Sequence, residues 1–197
     1  MSLTVALLIA AGVVVGAGVW QFIVWLIEVR DKDRKYRAAR ADADARGKPM
    51  LVAGGPWGGR RLRHLVNKPA HGMGDACLDV NPRAITGCPN AVVADVTRIP
   101  FADGTFGAAF ASHLLEHLPS TRAAETALTE LHRVADAVYI AYPYRQSLAG
   151  WLTRGHHLWV RQKGSTVWLT QRGRSLDGAD RRRSFKVPAR KGAGIGG

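Results

Sequence analysis

Acidic residues are scarce towards the end of the chain. Residues 145–197 hold 12 Lys and Arg against only Asp177 and Asp180, whereas residues 49–144 balance 8 against 8. Residues 28–48 carry 8 basic and 5 acidic groups, so the net charge of +13 comes mostly from the C-terminal quarter. That distribution excludes reading the whole protein as a basic nucleic-acid binder. Cysteine is nearly absent too. Cys77 and Cys88 are too few for a disulfide-dense scaffold or a four-cysteine zinc site. They can form at most one bridge, and two buried free thiols are expected. Charge of either sign is missing from Leu3 to Ile27, where only Thr4 and Gln21 are clearly polar. No basic group starts that run, which argues against a secretory signal peptide.

The apolar run has 25 residues, and about 20 suffice to cross a hydrocarbon layer roughly 30 Å thick. A transmembrane helix over residues 1–28 is the expectation, with Trp20 and Trp25 placed for the headgroup level. The basic residues all follow the run, beginning with Arg30, Lys32 and Arg34. They place the N-terminus outside and the remainder of the chain in the cytoplasm. Gly12 and Gly16 have the small-xxx-small spacing that would permit a helix-mediated dimer. Residues 29–48 mix both signs among good helix formers and read as a solvated charged stalk, ended by Gly47 and Pro49.

Residues 49–170 read as alternating strands and helices. Short apolar runs occur at Met50–Ala53, Ala76–Val80, Ala91–Ala94, Phe106–Ala111 and Ala137–Ala141. A short helix is expected over Arg60–Val66. A second is expected over Ser120–Ala135, where Ala124, Leu128, Leu131 and Val134 repeat at helical spacing behind a Ser or Thr cap. Continuous apolar strands alternating with helices predict an α/β fold with a Rossmann-like, mostly parallel sheet. Ligands of such sheets sit at the carboxyl ends of the strands. There the sequence places a Gly-rich turn (Gly54, Gly55, Gly58), then Asp79, then Asp95 with Val96, then Ser112 with His113. Asp79 lies 21 residues beyond Gly58, the spacing at which a carboxylate grips both hydroxyls of a ribose.

The stretch from Asp95 to Pro119, with its Pro-Phe, Asp-Gly-x-Phe and Leu-Glu-His-Leu-Pro in order, resembles class I S-adenosylmethionine-dependent methyltransferases of the type 11 group. Leu128-x-x-Leu131-x-Arg133-Val134 resembles the helix that follows in that family. The resemblance implies S-adenosylmethionine as cofactor, with Asp79 on its ribose, Asp95 and Val96 flanking its adenine, and the Gly54–Gly58 turn near its methionine part. Two positions depart from the family pattern. Val52 stands where the first motif has an acidic residue, and Pro56 stands where it has its middle glycine. Pro56 lacks an N–H and fixes φ, so the turn cannot take the usual shape. A membrane-anchored methyltransferase with a small-molecule or lipid-like acceptor is the first expectation. A non-catalytic relative tethered at the membrane is the second.

His113-x-x-Glu116-His117 matches inverted zinc peptidases, but Pro119 follows almost at once and no sustained helix can carry the pair. No metal is therefore expected. His156 and His157 precede a β-hairpin turning at Lys163-Gly164-Ser165, with Trp159 and Trp168 covering a sheet edge. His113 and His156 are the candidate general bases, and the turn from Tyr142 to Tyr144 is a candidate lining of the acceptor pocket. Residues 171–197 read as a disordered basic tail, suited to anionic lipid ahead of nucleic acid.

Overall fold

A computed structural model describes residues 2–55, 72–173 and 181–188. The expected helix at Arg60–Val66, together with Pro56 and Gly58, lies outside those residues. A single helix, α1 (Leu3–Ala45), runs through both the apolar stretch and the charged segment after it. Then follow β1 (Met50–Ala53), β2 (Ala76–Asp79), β3 (Ala91–Val93), β4 (Ala108–Ser112), α2 (Thr121–Val134) and β5 (Val138–Ala141). A short helix, α3 (Leu148–Leu152), leads into β6 (Leu158–Lys163), β7 (Thr166–Gln171) and β8 (Arg182–Lys186). Single 3-10 turns follow β2 (Pro82–Ile85) and β4 (Leu115–His117).

The five strands β1–β5 form one parallel sheet in the order β3-β2-β1-β4-β5, as the apolar runs predict. Its two faces are written in the alternation of β1 and β4. Leu51, Ala53, Ala109 and Ala111 point to one side, where α2 contributes Ala124, Leu128 and Leu131. Met50, Val52, Ala108 and Phe110 point to the other, with Ala39 and Ala43 of α1. Ser120 caps α2, its hydroxyl accepting from the Ala123 N–H. β6, β7 and β8 form a separate antiparallel sheet that buries Leu158, Val160, Val167 and Leu169 in the same core as α2. Trp159, which alternates with Leu158 and Val160, is buried against Trp151, whereas Trp168 is half exposed.

Three expectations are corrected. Residues 29–45 are not a solvated stalk: Ala39 and Ala43 are fully buried, and the Tyr36 ring meets Phe110 edge-on at 5.6 Å. The backbone approach is close because Gly107 has no side chain, a Cβ there falling 2.9 Å from the Ala43 Cα. Part of the basic tail is ordered as β8, with the Arg183 guanidinium donating to Glu125 of α2 at 2.6 Å. Cys77 and Cys88 are joined as a disulfide instead of standing as free thiols; their Cα atoms are 6.2 Å apart, within bridging range.

α1 runs antiparallel to the parallel strands. Lys48, just past its end, donates to Asp136 at the start of β5. Asp42 accepts from the Tyr139 hydroxyl, and Lys35 lies 4.8 Å above the Tyr142 ring. Glu28 accepts from the Tyr144 N–H beyond the end of β5. The apolar part of the helix therefore leaves the domain at the carboxyl edge of the sheet.

Candidate functional site

The strand order reverses between β1 and β4, which opens a crevice at the carboxyl ends of those two strands. Gly54 lies in that crevice with φ +88° and Gly55 follows with φ +37°. A Cβ at Gly54 would fall 2.5 Å from the Ser112 carbonyl oxygen, and one at Gly55 would fall 2.5 Å from the Ala84 Cβ. These glycines let the turn pass between the end of β4 and the 3-10 turn after β2. Among the described residues, their close partners are protein atoms.

Asp79 closes β2 half-buried, with its Oδ1 accepting from the Asn81 N–H at 2.8 Å. Burial pushes its pKa above the usual carboxylate value, against the opposing pull of that N–H and of His117. A half-buried carboxylate held by the backbone N–H groups of Asn81 and Val80 has capacity for further hydroxyl donors, as a ribose supplies. Ser112, at the end of β4, is 2% exposed, and its hydroxyl has no partner among the described residues. Both features fit a nucleoside-bearing cofactor at this edge. Asp95 fits less directly: it is exposed, and its Oδ1 already accepts from the Thr97 N–H and hydroxyl. Val96 beside it is buried. Val52 is fully buried among apolar side chains, so no carboxylate faces the first turn from that position.

His113 has φ +48° and donates through Nδ1 to Glu116 at 3.1 Å. His156 stands apart from it, edge-on to His117 with ring centres 4.6 Å apart. Burial lowers the pKa of His156, against the attraction of Glu116, which favours its neutral form. Tyr142 accepts from the Gln162 N–H and so ties β5 to β6. Sequence reasoning missed two residues at this rim. Glu116 is fully buried, yet it was noted only as a motif letter. Glu28, in α1, fixes the Tyr144 turn and would have shown only as the first charge after the apolar run. Two open hollows lie away from this edge, one of about 530 Å³ beside Asp75 and Phe106 and one of about 600 Å³ beside Gln171 and Arg182. Neither gathers the polar groups just described.

The parallel sheet order and the helices that cover it define a Rossmann-like α/β domain. Residues 61–137, under half of the chain, match the protein family described as a methyltransferase domain. No curated protein matches the chain. Solved structures similar to it include the PH0226 protein from Pyrococcus horikoshii OT3 (16% identity, TM-score 0.38, 75% of this chain and 72% of that one). Another is the sugar N-methyltransferase KedS8 from a Streptoalloteichus species (16% identity, TM-score 0.39, 83% and 73%). A third is the Burkholderia thailandensis 1,6-didemethyltoxoflavin-N1-methyltransferase, solved with its acceptor and S-adenosylhomocysteine (15% identity, TM-score 0.36, 80% and 63%).

Proposed function

We propose that this chain is a membrane-anchored, S-adenosylmethionine-dependent methyltransferase that acts on a small acceptor presented at the membrane surface. When bound, the cofactor supplies a methyl group on a sulfonium, transferred to a nucleophile by direct displacement. The protein's task is then chiefly alignment. Asp79 would hold the ribose hydroxyls, Val96 and Asp95 the adenine side, and Gly54 and Gly55 (with Gly58) the methionine side. Ser112 would supply its unpartnered hydroxyl from the end of β4. His113, half-exposed beside Ser112, is the group placed to take a proton from the acceptor. His156 is the other histidine near the rim, but its ring is paired with His117.

The observation that carries the membrane part is the direction of α1. Its 25-residue apolar run emerges beside the carboxyl edge, so the rim that bears Asp79 and Ser112 faces the bilayer the run would cross. Two further contacts support that reading. Gln21, inside the run, donates to the Gln146 carbonyl and accepts from the Leu148 N–H, which seats α3 beside the span. α3 leaves Leu148, Trp151 and Leu152 at least half exposed, the composition of an element that rests at headgroup level. The basic flank of the run supports placing the domain in the cytoplasm.

The test is a titration of the full chain, in lipid nanodiscs, with S-adenosylmethionine, repeated with Asp79→Ala. Micromolar binding that weakens at least about 30-fold in the variant, two lost hydrogen bonds at ~1 kcal/mol each, agrees with the proposal. No binding at millimolar cofactor would overturn it and leave the tethered, non-catalytic reading, which the apolar Val52 favours.

A further inference from the structure

We propose that Glu116, His117 and His156 form a binding site for a divalent transition-metal ion, zinc in the first instance, at the rim of the sheet. One ligand atom from each of the three residues lies within 4.8 Å of the other two. Around an ion with bonds of 2.0–2.1 Å the set would contract to separations of about 3.3 Å, a small turn of the two imidazoles. The three come from two segments far apart in sequence, and the backbone already clamps those segments together. The His157 N–H donates to the Glu116 carbonyl at 2.7 Å.

The hydrogen bonds of the two imidazoles are those of metal ligands. His117 Nδ1 lies 3.1 Å from the Gly155 carbonyl, and His156 Nδ1 lies 3.0 Å from the Gly150 carbonyl. A carbonyl only accepts, so both Nδ1 atoms carry the hydrogen. In the neutral rings both Nε2 lone pairs are then left as ligands, the orientation that backbone carbonyls impose on metal-binding histidines. The second, independent observation is Glu116. Its side chain is 1% exposed, Oε1 accepts from His113, and Oε2 is buried with no partner among the described residues. An ionised carboxylate buried with an unpartnered oxygen is costly, and a cation beside it removes that cost. His113 then stands behind the carboxylate as its orienting partner.

Two nitrogens and one carboxylate oxygen leave a fourth tetrahedral position open, and His117 is exposed, so that position faces solvent. The ion would sit within electrostatic reach of Asp79, at the rim assigned above to the acceptor. It requires no bound S-adenosylmethionine and does not depend on the proposed reaction. The sequence shows Glu116 and His117 only as part of a zinc-peptidase pattern. The true third member would be His156, not His113, and the pair sits on a 3-10 turn, not on the long helix that pattern needs.

The test uses the full chain in detergent, stripped with a chelator, then titrated with Zn²⁺ against a competing chromophoric chelator and, separately, with Co²⁺. Expected are one tight equivalent per chain and the intense visible bands of four-coordinate Co²⁺. His117→Ala, His156→Ala and Glu116→Gln should each weaken Zn²⁺ by more than the roughly 10–100-fold typical of an outer partner. His132→Gln, at a histidine in α2 outside the cluster, should leave it unchanged. Glu116→Gln also changes a fully buried position, so the exposed His117→Ala decides the matter alone. Absence of a tight equivalent, or Zn²⁺ affinity unaltered in His117→Ala, overturns the site. Neither result bears on whether the cofactor binds.

Discussion

Arg133, near the end of α2, should be the most damaging surface-accessible residue to remove from this domain. Its guanidinium donates to five oxygens: the Ile99 and Phe101 carbonyls, Asp103 Oδ1, and both carboxylate oxygens of Glu130, at 2.7–2.8 Å. Together these bind the loop between β3 and β4 to the helix. The pair with Asp103, whose side chain is 76% exposed, contributes little, about 0–1 kcal/mol for a solvated ion pair. The two carbonyls receive charged donors on a side chain only 29% exposed; discounted for water that can replace them, each is worth about 1 kcal/mol. With the bidentate Glu130 contact, Arg133→Ala should cost roughly 2–4 kcal/mol, or about 4–16 °C in Tm for a chain of this size. Arg133→Lys should recover only part of that, since one ammonium cannot span a planar fork. The assay is thermal and urea unfolding of the full chain in detergent, followed by circular dichroism. Cofactor affinity should fall in parallel, because the same loop carries Asp95 and Val96. An Arg133→Ala protein within about 0.5 kcal/mol of the parent, the usual range for neutral surface changes, would refute this account of the loop.

Gly54→Ala combines a left-handed φ with a Cβ 2.5 Å from a backbone oxygen. Unfolding measurements should show a loss of about 2–5 kcal/mol, and a loss under about 1 would mean the turn relaxes freely. Asp75 accepts from the Met50 N–H and from Arg40. Burial alone would raise its carboxyl, but these partners hold it below 3.8; Glu130, held by Arg133, lies below 4.5. Folded values below the unfolded ones mean that this stabilisation is complete above about pH 4.5 and fades as the pH falls through the depressed values. Asp75→Asn should flatten part of that acid limb in melts taken from about pH 3 to 6, and an unaltered limb would exclude the clamp as its source. The Cys77–Cys88 pair should resist alkylation until reductant is added, and reduction should cost about 3 kcal/mol for so short a loop. Two alkylated thiols in protein quenched directly from membranes would contradict the pairing and agree with a reducing cytoplasm.

The parallel sheet was legible because each strand is built on an apolar run, interrupted only at the last residue by Asp79 in β2 and Ser112 in β4, and α2 because Ser120 and the Leu128/Leu131/Val134 spacing mark one cap and one face. The carboxyl-edge residues followed from the strands, since whatever comes after a run must fall there. What stayed hidden has physical causes. The face of α1 that covers the sheet is made of Ala39 and Ala43 against Gly107, and close packing of small residues leaves little hydrophobic periodicity. β8 is Arg-rich with only Phe185 apolar, and its inward positions, Arg183 and Phe185, alternate with exposed ones. The burial of Glu116 stayed hidden because nothing local reveals that the segment before β6 packs against its turn.

The double use of α1 is what gives the proposed anchor its consequence. A helix of 43 residues is about 65 Å long at 1.5 Å per residue. About 37 Å of that is the apolar run, more than the roughly 30 Å of hydrocarbon. The remainder is fastened to the sheet at Glu28–Tyr144, Lys35–Tyr142, Asp42–Tyr139 and Lys48–Asp136. A catalytic domain on a flexible linker samples a volume set by the linker's length and meets its acceptor by chance within that volume. In the proposed arrangement no linker intervenes, since the same hydrogen-bonded helix would be both span and sheet cover. The domain would then tilt only with the helix, and the rim that bears Asp79 and Ser112 would keep a nearly constant height above the headgroups. An anchor of that kind would give up diffusing substrates for those that partition into the interface, where no reach is needed.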